Sequence, residues 1–287
     1  MTRRRLRPRL HPFPLSLLAA LAFAWVHAAA SSAPVYDAPI THSPYGLVFV
    51  DVVVNGRPAR ALVDTGSFRG VELSSRLAAG LGIALMATDR IAKRHEGNDL
   101  RLQEGRVASL TIGGMKLRDV DVSVVEGDVE RISERVETPF DVILGWGFLS
   151  RYSILLDYRE RTLRWGEGAL RGVGPRRGGR VTTIPYETVK GVPVVAGLVG
   201  GDSIRLLVDT GAPTCNLDPA VAKAPAGELV PRPLRLGEDR ISVSFRVKDL
   251  GVIRESLGCA AVLGNNLLEA GRVWFRPDEG TISIFSP

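Results

Sequence analysis

The tripeptide Asp-Thr-Gly occurs twice in the chain, each time at the end of the same kind of apolar strand: Leu62-Val63-Asp64-Thr65-Gly66-Ser67 and Leu207-Val208-Asp209-Thr210-Gly211-Ala212. At average composition one such tripeptide arises by accident in about one chain in twenty of this length. Two copies in matching context are an internal repeat. Asp64 lies 18 residues after Gly46 and Asp209 lies 18 after Gly191, and each interval holds a strand, a turn and a second strand.

The repeat continues downstream. Val142-Ile143-Leu144-Gly145-Trp146-Gly147-Phe148-Leu149 precedes two strand-like segments, Ile154 to Tyr158 and Thr162 to Trp165. Ala261-Val262-Leu263-Gly264-Asn265-Asn266-Leu267-Leu268 precedes Arg272 to Arg276 and Thr281 to Phe285 in the same order. Ser74 and Asp218 are suited to cap short helices, one over Ser75 to Gly80 and one opening at Pro219, a residue favoured in the first helical turn. From Leu47 to Val54 valines alternate along a strand, with Asp51 on its solvent side, and Asn55-Gly56 offers a tight turn because both residues tolerate positive φ. Helix is confined to short segments, so the pattern predicts a mainly β protein in two related lobes.

The N-terminus stands apart. Arg3, Arg4, Arg5, Arg7 and Arg9 precede an apolar run from Leu15 to Val26 and the small residues Ala28-Ala29-Ala30. That run is short of the ~20 residues that cross a bilayer, so residues 1–30 read as a secretory signal peptide, cleaved or kept as an anchor. The expectation is export across an inner membrane, to the periplasm in a bacterial cell, with no stable membrane span after cleavage. Of the 37 basic residues five leave with the signal, and the remaining 32 nearly balance the 31 acidic ones. No basic stripe remains for nucleic acid. The organisation expected is a first lobe over 31–165, a flexible Gly/Pro-rich linker over 166–190 and a second lobe over 191–287. Two cysteines and a scatter of histidines give no metal-ligand spacing. His42 and His95 read as surface residues, and no metal or cofactor is expected.

Two carboxylates brought together on such turns cannot both ionise, so they share a proton. A water held between them can then lose a proton to the charged member while the neutral one hydrogen-bonds a carbonyl under attack. The chain resembles the retropepsin-like branch of the aspartic proteases, fused in tandem as in two-lobed pepsins, over nearly all of residues 44–285. The resemblance implies an all-β acid-protease fold with the active site between two retropepsin-like lobes, and an aspartic endopeptidase acting on peptides or proteins. It implies Asp64 and Asp209 as the catalytic pair. Thr65, Gly66, Ser67, Thr210, Gly211, Gly145 and Gly264 would support it, the threonines by bonding across the lobe interface. Each lobe brings one carboxylate, so a monomer that is a pseudo-dimer suffices; pairing between chains and a catalytically silent peptide-binding module are the alternatives.

The resemblance also has gaps. Ala212 stands where Ser67 stands in the first repeat, and no Tyr lies between Gly66 and Phe140 to form a pepsin-like flap. A flap would have to come from the polar stretch Arg90 to Glu104. From Asp64 to Gly145 there are 81 residues, and from Asp209 to Gly264 only 55, so a second flap is expected to be short or lost. Cys215 and Cys259 lie in segments that neighbour each other in that family's fold, which leaves a disulfide or two buried thiols open.

Overall fold

The computed structural model describes residues 34–92 and 100–286. The expected signal peptide, His95 and positions 93–99 of the expected flap lie outside the described residues. The first lobe begins β1 (Val35–His42), β2 (Val48–Val54), β3 (Arg57–Asp64), β4 (Val71–Leu73) and α1 (Ser75–Gly80). It continues β5 (Met86–Ala92), β6 (Leu100–Ile112), β7 (Met115–Val125) and α2 (Asp128–Arg135). It ends β8 (Val142–Gly145), α3 (Trp146–Leu149), β9 (Ser153–Asp157) and β10 (Thr162–Gly166).

The second lobe opens with β11 (Arg180–Pro185), β12 (Glu187–Val189), β13 (Val192–Val199), β14 (Asp202–Val208) and β15 (Asn216–Leu217). Then come α4 (Pro219–Ala222), β16 (Leu229–Leu236), β17 (Asp239–Val247) and α5 (Gly251–Leu257). β18 (Ala261–Leu263), α6 (Asn265–Leu268), β19 (Arg272–Arg276) and β20 (Thr281–Ser286) close the chain.

Strand order makes the repeat three-dimensional. In the first lobe β2-β3-β8-β4-β7-β6 are neighbours and β2 also pairs with β6; in the second the order is β13-β14-β18-β15-β17-β16, and β13 also pairs with β16. Each lobe is thus a sheet closed on itself, with no free edge among these six strands. A second layer joins the lobes. The strands β11-β20-β19-β9-β10-β1 are neighbours, and β9 meets β19 antiparallel with Leu155 opposite Trp274. This is the two-lobed all-β acid-protease architecture.

Local chemistry explains the pieces. β2 buries Val48, Val50, Val52 and Val54, while Asp51 faces solvent beside Arg60. Asn55 and Gly56 both take positive φ, as the tight turn requires. Ser74 accepts a hydrogen bond from the Leu77 N–H, and Asp218 from the Ala220 N–H, each satisfying an orphan donor at a helix start. α2 and α5 carry no side-chain cap. They are held instead by packing, α2 through Val129 on Phe140 and its neighbours, so no capping signature marks them in the sequence.

One expectation is revised, and two features are added to it. Residues 180–189, expected within a flexible linker, form β11 and β12; Thr182 and Ile184 alternate inward and the backbone pairs with β20, which an irregular composition does not reveal. β1, beginning before the region of resemblance, pairs with both β10 and β2. Cys215 and Cys259 are free, buried thiols. In the antiparallel register of β15 on β18, Leu217 faces Ala261 and Asn216 faces Val262. Cys215 is therefore level with Leu263, while Cys259 lies four positions earlier, before β18 begins. A disulfide needs Cα atoms within about 7 Å.

Candidate active site

Each Asp-Thr-Gly turn sits where a strand leaves its barrel. β3 runs parallel to β8 and ends with Asp64 opposite Gly145, while β14 runs parallel to β18 and the Asp209 N–H donates to the Leu263 carbonyl at 3.0 Å. The chain after each turn folds back over the later glycine. Trp146 N–H donates to Ser67 O at 2.7 Å, and Asn265 N–H donates to Ala212 O at 2.9 Å. A Cβ on Gly145 would lie 3.0 Å from Ser67 O, and one on Gly264 would lie 2.7 Å from Ala212 O. Both positions need glycine because backbone passes directly over them.

The two turns meet. Thr65 Oγ1 donates to Val208 O at 2.8 Å and accepts from Thr210 N–H at 3.0 Å; Thr210 Oγ1 donates to Val63 O at 2.7 Å and accepts from Thr65 N–H at 3.0 Å. Both threonines are buried, so these four bonds replace the water those groups would otherwise need. The carboxylates cross over in the same way. A Cβ built on Gly66 would lie 2.5 Å from Asp209 Oδ1, and one on Gly211 would lie 2.5 Å from Asp64 Oδ1. Each carboxyl rests on the other repeat's glycine.

Backbone N–H groups aim at both carboxyls. Asp64 Oδ1 accepts from Gly66 at 2.9 Å and from Ser67 at 3.1 Å, and Asp209 Oδ1 accepts from Gly211 at 2.8 Å. Ser67 reaches Asp64 through its backbone, not through the hydroxyl that distinguishes it from Ala212. Burial holds the Asp64 carboxyl well above its ordinary range, and the charge and hydrogen bond of Asp209 push the same way against the two N–H donors. Burial raises Asp209 as well, opposed first by the Gly211 N–H and then by the hydrogen bond from Asp64. Burial thus works against charging both carboxyls at once. Among the described residues no group of His, Cys, Asp and Glu has the makings of a metal site.

Several neighbours were not singled out from sequence. Glu72 is buried on β4, where Val71 and Leu73 face the core on the other side, and it pairs with Arg69 just past the first turn. Arg69 also lies 3.5 Å from Asp128 of α2. Burial raises the Glu72 carboxyl, and Arg69 opposes that shift. A carboxylate inside a three-residue apolar strand was the available signal. Tyr158 donates to Asn265 Oδ1 at 2.9 Å, and Asn265 Nδ2 donates to Thr210 O at 2.7 Å, a contact between residues 107 positions apart that no local pattern announces.

Residues 50–151 match the family model described as gag-polyprotein putative aspartyl protease. The matched segment runs from within β2 to just past α3 and includes both Asp64 and Gly145. A solved structure described as a retropepsin-like aspartic protease from Rickettsia conorii is 21% identical over 47% of this chain and 94% of its own, with a TM-score of 0.37. No curated protein matches the chain.

Proposed function

We propose that the protein is an aspartic endopeptidase in which Asp64 and Asp209, one from each lobe of a single chain, activate a water against a peptide carbonyl. The observation that carries this reading is the reciprocal seating of each carboxyl on the other lobe's turn glycine, which brings the two acids within hydrogen-bonding reach and gives them one proton to share. The charged member takes a proton from water as its oxygen attacks, and the protonated member donates to the carbonyl oxygen. The resulting tetrahedral carbon collapses when the leaving nitrogen receives the proton that the water gave up and one hydroxyl on that carbon returns its proton to the other acid, re-forming the carbonyl and the starting pair. No covalent intermediate is needed. The four threonine bonds hold the acids at fixed separation, so little reorganisation accompanies the step. The active species is a monomer, and the charge pattern of residues 1–30 suits export to an oxidising compartment such as the periplasm.

The test is hydrolysis of a diverse peptide mixture by the purified protein, alongside Asp64→Asn, Asp209→Asn and the double variant. Each single change should reduce cleavage by roughly 10²–10⁴-fold, the range typical of acid-base catalysis. The double variant should be scarcely worse than either, because the two act as a unit. Full activity in both single variants would refute the endopeptidase. Peptide binding without cleavage by the unaltered protein would favour the silent module, and activity restored by mixing the two single variants would place the pair between chains.

A further inference from the structure

The two Asp-Thr-Gly turns are alike, but the amides that hold their carboxylates are not supported alike. In each turn the glycine N–H that donates to the carboxylate belongs to the same peptide unit as the preceding threonine's carbonyl. Whatever grips that carbonyl fixes the direction of the donor. In the second turn the Thr210 carbonyl accepts from Asn265 Nδ2 at 2.7 Å, and the Gly211 N–H at the other side of that amide lies 2.8 Å from Asp209 Oδ1. A carbonyl can only accept, so it dictates which end of the Asn265 amide faces it, and the remaining oxygen takes the Tyr158 hydroxyl at 2.9 Å. Asn265 is fully buried and Tyr158 nearly so. Tyr158 follows β9 of the first lobe and is stacked on the His42 ring, with centroids 5.6 Å apart and planes 8° from parallel. A first-lobe side chain thus steadies the second-lobe turn.

The first turn has no equivalent among the described residues. Trp146 occupies the place of Asn265, since its N–H donates to Ser67 O as that of Asn265 donates to Ala212 O. Its indole nitrogen is buried without a hydrogen-bond partner, and its ring is turned to Tyr186 and Phe275. Pro277 stands where the repeat would place a second Tyr158, and proline has no hydroxyl. The second N–H on Asp64, from Ser67, is the longest of the three at 3.1 Å and is shared with the Asp64 carbonyl at 3.4 Å.

We infer that Tyr158 and Asn265 are positioning residues that make Asp209 the charged member of the pair and leave the shared proton on Asp64. The inference rests on the proposed pairing of the two acids. A hydrogen bond to the Thr210 carbonyl stiffens the amide and polarises its N–H, and a stronger N–H bond favours an ionised carboxylate over a neutral one. The charged and titratable groups nearby are few. The acids face each other, with Glu72 and its partner Arg69 behind Asp64 on the β4 side. The strut is faced by His42, with Arg161 beyond it, and by Glu269. In the reaction Asp209 takes the proton from water and Asp64 donates to the carbonyl oxygen.

Carbon-13 NMR of Cγ-labelled aspartates tests this without relying on turnover. In Asp64→Asn protein the remaining site carboxyl is Asp209, recognised by its loss when Asp209→Asn is added. Introducing Asn265→Leu there should raise its titration midpoint by about one pH unit, a tenfold change in ionisation constant, and Tyr158→Phe should raise it by about half as much. In Asp209→Asn protein the same substitutions should leave the Asp64 midpoint where it was. A general loosening of the fold would move both, so equal shifts in the two backgrounds overturn the inference, as does an unmoved Asp209. Tyr158→Phe keeps the ring and its stacking, which preserves the test if Asn265→Leu folds poorly. Protein that titrates as stated but cleaves no peptide would refute the endopeptidase and leave this assignment standing.

Discussion

The first lobe has 81 residues between its aspartate and its later glycine and the second has 55, yet both close six strands in the same order. About half of the difference lies in the segment that carries one element, β5. β5 pairs with β6 at the rim of the first lobe, whereas in the second the chain leaves α4 at Ala222 and enters β16 at Leu229 with no strand between. What the lobes share is the apparatus that presents a carboxylate: a strand ending in the turn, a parallel partner ending in glycine, and a loop folded over that glycine. What they do not share is peripheral to the turn or, in Trp146 and Asn265, placed just behind it. The backbone that presents the acid is the same in both lobes, while the residues around it differ.

The comparison can be broken most directly at the turn glycines. Neither Gly66 nor Gly211 has a positive φ, so an added Cβ costs collision and not backbone strain. Gly66→Ala should displace Asp209, and Gly211→Ala should displace Asp64. Each should lower kcat/KM by roughly 10²-fold, the penalty for misplacing a reacting group by about 1 Å, with circular dichroism unchanged. If one variant were fully active, the reciprocal seating of the acids would not hold.

The threonines sharpen the comparison through stability. Thr65→Val or Thr210→Val removes one donor and one acceptor and strands a buried carbonyl and a buried N–H from the facing turn. Each should cost about 2–4 kcal/mol in urea unfolding, since an orphaned buried polar group costs about 1–3 kcal/mol. The equivalence of the lobes requires similar values. A difference of several kcal/mol would show that one lobe carries the interface.

The smallest effect concerns the thiols, which occur only in the second lobe. Cys215 and Cys259 belong to separate apolar clusters, and burial pushes both thiols up, to about 12 and about 11. Reductant should leave the Tm of the unreduced protein unchanged, and mass spectrometry after unfolding should find two alkylatable cysteines. A Tm that falls on reduction would show a bond between them.

Much of this architecture was legible in the chain. Paired Asp-Thr-Gly strands, apolar-apolar-Gly segments, the Asn55-Gly56 turn and the helix caps at Ser74 and Asp218 all encode local geometry, which depends on residues near one another in sequence. The candidate acids were legible for the same reason, because a repeated tripeptide at a strand end is a local signal. Tertiary structure decided what depends on distant neighbours. β11 and β12 became strands because β20 and β13 offered them edges, and Cys215 and Cys259 stayed apart because the register of β15 on β18 separates them by four positions. The support of Thr210 by Asn265 and Tyr158 is of the same kind. Sequence alone determined that two carboxylates would be displayed on matching turns; only packing between lobes decided that each rests on the other's glycine, because hydrogen bonds across 145 residues are set by where two barrels meet.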